Sequence, residues 1–308
     1  MGAYNALNDF DEARKVYDEA RGRGVDGLAL RLTLYLTAFL QNDGPSMAEQ
    51  LKWADGKPGI EDQLLSPAAD TAAYYGHLKR ARELSERAAN SVLRSGAPET
   101  AALWTVIAAL REAEVGNSSQ ARKDATRALA LREGRDIQLL AALALARIGD
   151  LTRAEELASN IDEEHPRDTQ VQNYWLPSIR AAVALGRGLS SPASSALEPA
   201  TAYELGALSS CSSFSPMYPV YLRGEAYLKA GNGSQAVTEF QEFVSHPGVV
   251  QNFVLGPLAR LQLARAQVMM GDKDAARKSY LDFLALWKDA DPDIPIYKQA
   301  KAECAKLH

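Results

Sequence analysis

The residues best suited to chemistry are few and scattered. Gly22, Gly24 and Gly27 form the pattern GxGxxG. That pattern cradles a dinucleotide pyrophosphate only where a strand precedes it and a helix opens at its third glycine. Here it follows a segment of helical periodicity, so a turn between helices is expected. Asp289, Asp291 and Asp293 alternate like the start of a calcium loop. Such a loop needs Gly at its sixth position and Glu at its twelfth. The chain has Ile294 and Ala300 there, and Pro292 and Pro295 intervene. A solvated acidic turn that caps a helix is the expectation.

His77, His165, His246 and His308 have no second ligand three or four residues away, so no metal site is expected. Cys211 lies in the serine-rich stretch 209–216, with no GxSxG and no recognisable Cys/His context. That stretch is expected to be a long connection. Cys304 reads as a small apolar residue on the last helix. Two cysteines cannot build a disulfide framework. The expectation is therefore no catalytic residues, no cofactor and no enzyme activity.

The bulk properties narrow the class further. A length of 308 residues suggests about two domains. A hydrophobic content of 46% is enough to bury a core, which excludes disorder throughout. With 34 Lys and Arg against 39 Asp and Glu, the net charge is −5. That balance lacks the basic excess on which general nucleic-acid binding depends. The most apolar stretch runs 13 residues from Leu28 to Leu40 and is broken by Arg31, whereas a membrane span needs about 20. The N-terminus lacks the basic and apolar regions of a signal peptide. The chain as given is expected to be cytoplasmic and not to insert into a membrane. An extracytoplasmic position would follow if a longer parent carried a membrane helix ahead of it.

The elements that must position any site come from a repeat. In 222–243, Gly224 precedes Tyr227 by three residues, a turn follows at Gly231-Asn232, and Ala236 and Phe240 lie four apart. In 261–283, Ala264, the turn Gly271-Asp272, and Ala276 and Tyr280 repeat that spacing. The first small residue lets two helices approach closely. The turn Gly or Asn supplies a left-handed helix terminus. The second small residue and the aromatic one turn later complete the contact. The same turn recurs at 8, 42, 76, 116, 149, 188, 231 and 271, so the base period is 34 with insertions. One hairpin cannot bury its apolar face alone and needs stacked neighbours. The spacing predicts one elongated unit in which each hairpin contacts mainly its neighbours, in place of two domains.

These units resemble the tetratricopeptide repeat family over nearly the whole chain. The family's tryptophan near the start of the first helix is mostly absent, and its closing proline is clear only at Pro166. The resemblance implies an all-α, right-handed α-solenoid of about eight hairpins with a C-terminal capping helix: residues 1–290 as repeats, 291–308 as turn and cap. Ile294, Ile296, Ala300, Cys304 and Leu307 can line the inner face of that cap. Met1 falls inside the first helix of a repeat: either that helix is short and frayed, or residues precede it in a longer parent or a natural relative.

Five segments resemble a narrower family, the repeat region behind the catalytic domain of bacterial, eukaryote-like serine/threonine protein kinases. They are QLKWADGKPGIEDQLL (50–65), DTAAYYGHLKRARELS (70–85), YWLPSIRAAVAL (174–185), YPVYLRGEAYL (218–228) and FLALWKDADPDIPIYKQAKAE (283–303). This chain has no HRD loop, no DFG and no VAIK strand, so the resemblance implies an accessory region and not a kinase. Related repeats also follow DNA-binding regulator domains.

Repeat arrays present their first helices on a concave surface that can cradle a peptide. Tyr218, Tyr221, Glu225, Leu228, Leu261 and Arg265 are the expected groove contacts, with packing between repeats as the alternative for Tyr221 and Leu261. One subclass of the family grips a C-terminal carboxylate with Lys and Asn. The corresponding positions, such as Leu103, Leu110, Leu139 and Leu143, are apolar, so no such clamp is expected. The expected function is a non-catalytic protein-interaction scaffold with a protein or peptide partner. It would serve as the sensing or docking region of a bacterial signalling protein, or as the regulatory region of a kinase or transcriptional regulator.

Overall fold

The computed structural model describes residues 1–206 and 217–307. Cys211, most of the serine-rich connection and His308 lie outside the described residues. Among the described residues there is no strand, and no helix is long and apolar enough to cross a membrane.

The described residues form an all-α array of eight helix hairpins. They are α1 (Gly2–Ala6) with α2 (Phe10–Gly22), α3 (Leu28–Leu40) with α4 (Gly44–Ala54), and α5 (Glu61–Tyr74) with α6 (Leu78–Arg94). Next come α7 (Pro98–Glu114) with α8 (Ser118–Leu131), α9 (Arg135–Arg147) with α10 (Leu151–Glu164), and α11 (Leu176–Gly186) with α12 (Ser190–Ala196). A π-helical turn, Val171–Trp175, leads into α11. After α13 (Tyr218–Lys229) and α14 (Gly233–Ser245), the short α15 (Pro247–Val250) precedes α16 (Leu255–Met269) and α17 (Lys273–Leu286). A single helix, α18 (Pro295–Cys304), closes the chain.

All eight turns fall where the spacing puts them. Asn8, Asn42, Gly76, Gly116, Gly149, Gly188, Gly231 and Gly271 have φ between +56° and +87°. The next amide in each turn donates to the carbonyl five residues back, as Asp9 does to Tyr4 and Asp272 to Gln267. That bond satisfies a carbonyl orphaned at the helix end. The residue after each turn glycine or asparagine caps the next helix, with Asp9, Asp43 and Asp272 accepting amide bonds through their side chains. The small residue five positions past the turn is buried at Ala13, Ala81, Ala121, Ala154, Ala193, Ala236 and Ala276. Met47 takes that position in the second hairpin and is half-buried. Gly224 shows why size matters: a Cβ there would lie 2.6 Å from Cζ of Phe240.

The GxGxxG run forms the connection between α2 and α3, with Gly24 at φ +76°. In α18, Ile294 and Ala300 are buried and Ile296, Cys304 and Leu307 pack against the core, as the apolar stripe implies. Tyr297 is buried there as well.

Each hairpin meets mainly its neighbours, as the spacing implies, but a further set of contacts joins the two ends of the array. The C-terminal hairpins fold back onto the N-terminal ones. Nδ2 of Asn8 donates to the Ser245 carbonyl at 2.9 Å, and the Gly248 amide donates to Oδ1 of Asn8 at 3.0 Å. The buried Asn252 donates to the Pro67 carbonyl at 2.7 Å. The Trp287 indole donates to the Tyr74 carbonyl at 2.9 Å. The Asp291 amide donates to the Gly76 carbonyl, and its carboxylate caps α6 by accepting from the Lys79 amide at 2.8 Å. The acidic turn thus caps a helix of a distant hairpin. Phe253, Val254, Leu255 and Trp287 are buried in this part of the chain. An open solenoid leaves its first helices facing solvent on the concave side. Here α1 meets α15 and α5 meets α16 across the array.

Candidate functional site

The last residue of several first helices lies at one repeat register, two positions before the turn. Glu114 ends α7, Arg147 ends α9 and Lys229 ends α13. Stacking brings them together. The Arg147 guanidinium donates to both oxygens of Glu114, at 2.9 and 2.8 Å. It also bonds both oxygens of Glu225, on α13, at 2.5 and 2.9 Å. Two carboxylates therefore hold one cation through bidentate, charge-assisted bonds.

A second tier surrounds this core. The Tyr218 hydroxyl donates to Glu114 at 3.3 Å. The Tyr221 ring lies 5.8 Å from the Arg147 guanidinium carbon. Nε2 of Gln262, on α16, donates to the Tyr221 hydroxyl at 3.3 Å and reaches Glu225 at 3.5 Å. Arg265 bonds Gln262 and forms a bidentate pair with Glu303 on α18, at 2.9 and 3.0 Å. Tyr280 donates to the same Glu303.

Electrostatics follow burial. Desolvation raises the Glu114 pKa above its ordinary value, although Arg147 pulls it down. Burial also pushes Tyr218 and Tyr221 up, so both phenols stay protonated. Desolvation opposes the charge on Arg147, but Glu114 and Glu225 outweigh it and hold the guanidinium charged.

Above this network opens a cleft of about 480 Å³. Its lining includes Arg147, Leu185, Glu225, Leu228, Lys229 and Gln262. Lys229 Nζ donates to the Leu185 carbonyl at 3.0 Å. The C-terminal ends of α9, α11 and α13 converge here, and helix C-termini favour positive charge. The cleft offers an apolar edge, one carboxylate and cations already held by their own chain. That arrangement suits recognition of a side chain.

The six groove contacts expected from sequence divide sharply. Glu225 and Leu228 line the cleft. Tyr218, Tyr221 and Leu261 are buried; Tyr221 packs edge-on against Phe240 and Phe243 of its own hairpin, and Tyr218 bonds Glu114. Arg265 is held by Glu303 of the terminal helix. Sequence reasoning missed Glu114, Arg147, Lys229 and Gln262. A readable signal existed: Glu114 and Arg147 carry opposite charges at equivalent repeat positions. Of the positions compared with the carboxylate clamp, Leu110, Leu139 and Leu143 are buried and Leu103 is half-buried. Among the described residues no group of three or more His, Cys, Asp or Glu is placed to hold a metal ion.

Comparison with known proteins agrees with the hairpin geometry in one segment. Residues 258–290, spanning α16 and α17, match the tetratricopeptide repeat family. No curated protein matches the chain. Among solved structures, the chain is similar to a tetratricopeptide repeat protein from Parabacteroides merdae. Identity is 13%, coverage 97% of this chain and 98% of that chain, and the TM-score 0.49. It is also similar to yeast Tom70, at 13% identity and a TM-score of 0.44, covering 97% of this chain and 59% of that one.

Proposed function

We propose that this chain is a non-catalytic protein-interaction module that works as one closed unit over residues 1–308 and docks a protein or peptide segment in the Arg147 cleft. The observation that carries the reading is the convergence of three helix ends around Glu225, Leu228 and a charge network that holds them rigid. A rigid surface loses little entropy on binding. A basic side chain flanked by apolar residues fits the cleft best: the helix ends and Glu225 attract the cation, and Leu185 and Leu228 supply the apolar edge. Nucleic acid is disfavoured by the net charge of −5.

The finer context rests on the five kinase-like segments. They support a role as the sensing or docking region of a bacterial signalling protein, with regulation of a linked kinase or DNA-binding domain as the alternative.

The test is affinity capture with three forms of the chain: native, Leu228→Arg in the cleft, and Leu281→Arg on the exposed face of α17. Leu281 is 51% exposed, which makes it a suitable surface control. A partner held by the native chain and by L281R, but lost by L228R, supports docking in the cleft. Retention by all three forms, or capture by none, overturns it.

A further inference from the structure

A second cavity, of about 240 Å³, lies on the seam where the C-terminal hairpins meet the N-terminal ones. It is smaller than the sites that take drug-sized ligands. Three aromatic rings form one wall. Phe39 and Tyr74 have centroids 4.9 Å apart and planes at 82°. Tyr74 and Tyr75 are 5.4 Å apart at 72°, and Phe39 and Tyr75 are 6.2 Å apart at 61°. Packed edge to face, the three rings give one side of the cavity an aromatic surface, which attracts alkylated ammonium groups.

The polar lining carries both signs. Asp282 stands at the rim and Asn42 beside Tyr75. Arg260, from α16, is half-buried, and its Nη1 donates to the Gly256 carbonyl at 3.2 Å. Arg260 and Asp282 form no ion pair with each other or with any other described residue, in a chain where Arg147, Arg223 and Arg265 are all held by carboxylates. A simple organic cation would suit the rings and Asp282 but would meet the charge of Arg260. A simple anion would suit Arg260 but gain nothing from the rings. A ligand carrying both charges satisfies both.

The geometry points to a binding site for a small zwitterion that bears a trimethylated ammonium and a carboxylate. The ammonium sits against Phe39, Tyr74 and Tyr75, and the carboxylate accepts from Arg260. The site stands apart from the Arg147 cleft and does not depend on the docking reading. Its walls come from both ends of the chain, so a bound ligand ties the seam together.

The experiment is proton NMR of three probes with the full 308-residue chain: glycine betaine, choline and 3,3-dimethylbutyrate. The last keeps betaine's shape and carboxylate but lacks the ammonium charge. Methyl protons held over ring faces shift upfield, which reports the aromatic contact directly. Betaine should bind, with such a shift, about fivefold to tenfold more tightly than either of the other probes, the range expected from one charged contact. Arg260→Gln should weaken betaine and, by removing the repulsion, strengthen choline, so that the two probes bind alike. Tyr75→Leu should weaken both ammonium probes; the Tyr75 hydroxyl makes only a long 3.5 Å contact to Asn42, so folding should survive, as far-UV circular dichroism would check. Absence of betaine binding at 10 mM overturns the site. So does equal binding of dimethylbutyrate and betaine, or betaine affinity unchanged in R260Q.

Discussion

Replacing Arg147 by methionine keeps most of the side-chain volume and removes the charge. Glu114, whose side chain is wholly buried, then faces Glu225 with no cation between them. In the native chain burial already raises the Glu114 pKa, and Arg147 is the main group holding it down. Without Arg147 the carboxyl is expected to stay protonated in the folded variant at pH 7, as buried carboxyls elsewhere do. The unfolded chain titrates near the ordinary 4.5. Between that value and pH 7 each pH unit costs about 1.4 kcal/mol, so holding this proton costs the folded variant up to about 3.4 kcal/mol at pH 7, less the share that the raised native pKa already costs. Removing one partner of a buried ion pair costs a similar amount, about 3–5 kcal/mol. The sign follows from linkage. A carboxyl with a raised folded pKa binds its proton more tightly when folded, so its stability deficit grows as pH rises above the unfolded value and fades as pH falls towards it. Urea unfolding followed at 222 nm at pH 7, 6 and 5 measures this. The deficit of R147M should shrink by up to about 1.4 kcal/mol per unit on acidification from pH 7, levelling off once the native Glu114 is protonated too. The double variant R147M/E114Q should show no such pH dependence. A deficit below about 1 kcal/mol at pH 7, or one constant from pH 5 to 7, would refute the reasoning.

Three further outcomes are expected. Gly224→Ala drives a methyl against Phe240 and should cost about 1–3 kcal/mol; the double variant G224A/F240L should recover part of that loss in the same urea assay. Asp291→Ala removes the carboxylate that caps α6 at Lys79 and should cost about 0.5–2 kcal/mol, with faster amide exchange at Lys79 and little change at distant caps such as Asp43. Because Asn8, Asn252 and Trp287 tie the two ends of the chain together, heat unfolding should be one transition with coincident fluorescence and circular dichroism. Separate transitions for the N- and C-terminal hairpins would contradict a seam of this strength.

The hairpins were legible because their determinants are local. A left-handed turn residue, a cap beside it and a small residue five positions on are all set by neighbours in sequence, and all eight turns carry the turn residue. The seam was not legible. Asn252, Trp287 and Asp291 reach partners more than 180 residues away. Nothing in a 34-residue period encodes how many repeats complete one superhelical turn. That curvature depends on small rotations between hairpins, and insertions alter it at several connections. The candidate site was legible in part for the same reason. Glu225 and Leu228 lie in the best-formed repeat and stand out locally. Arg147 and Glu114 become a site only when residues of α13 close over them.

Closure also changes what kind of recognition this array can perform. Tyr218 and Tyr221 were suited to stack on a peptide, yet they bury against Glu114 and beneath Arg147. In an open solenoid the affinity for an extended peptide comes from a long concave stripe of such residues. Here Tyr218 and Tyr221 are already taken up by Glu114, Arg147, Phe240 and Phe243. Parting the two ends of the array to admit a long peptide would expose Trp287, Phe253 and Leu255, all buried. A fully buried large apolar side chain is worth about 1.5–3 kcal/mol, so exposing three costs about 5–9 kcal/mol before any peptide contact forms. That is comparable to the whole free energy of a micromolar complex, about 8 kcal/mol. Recognition is therefore expected at the openings that closure leaves, the Arg147 cleft and the seam cavity, each formed by contacts between hairpins distant in sequence and each intact only while the array stays closed.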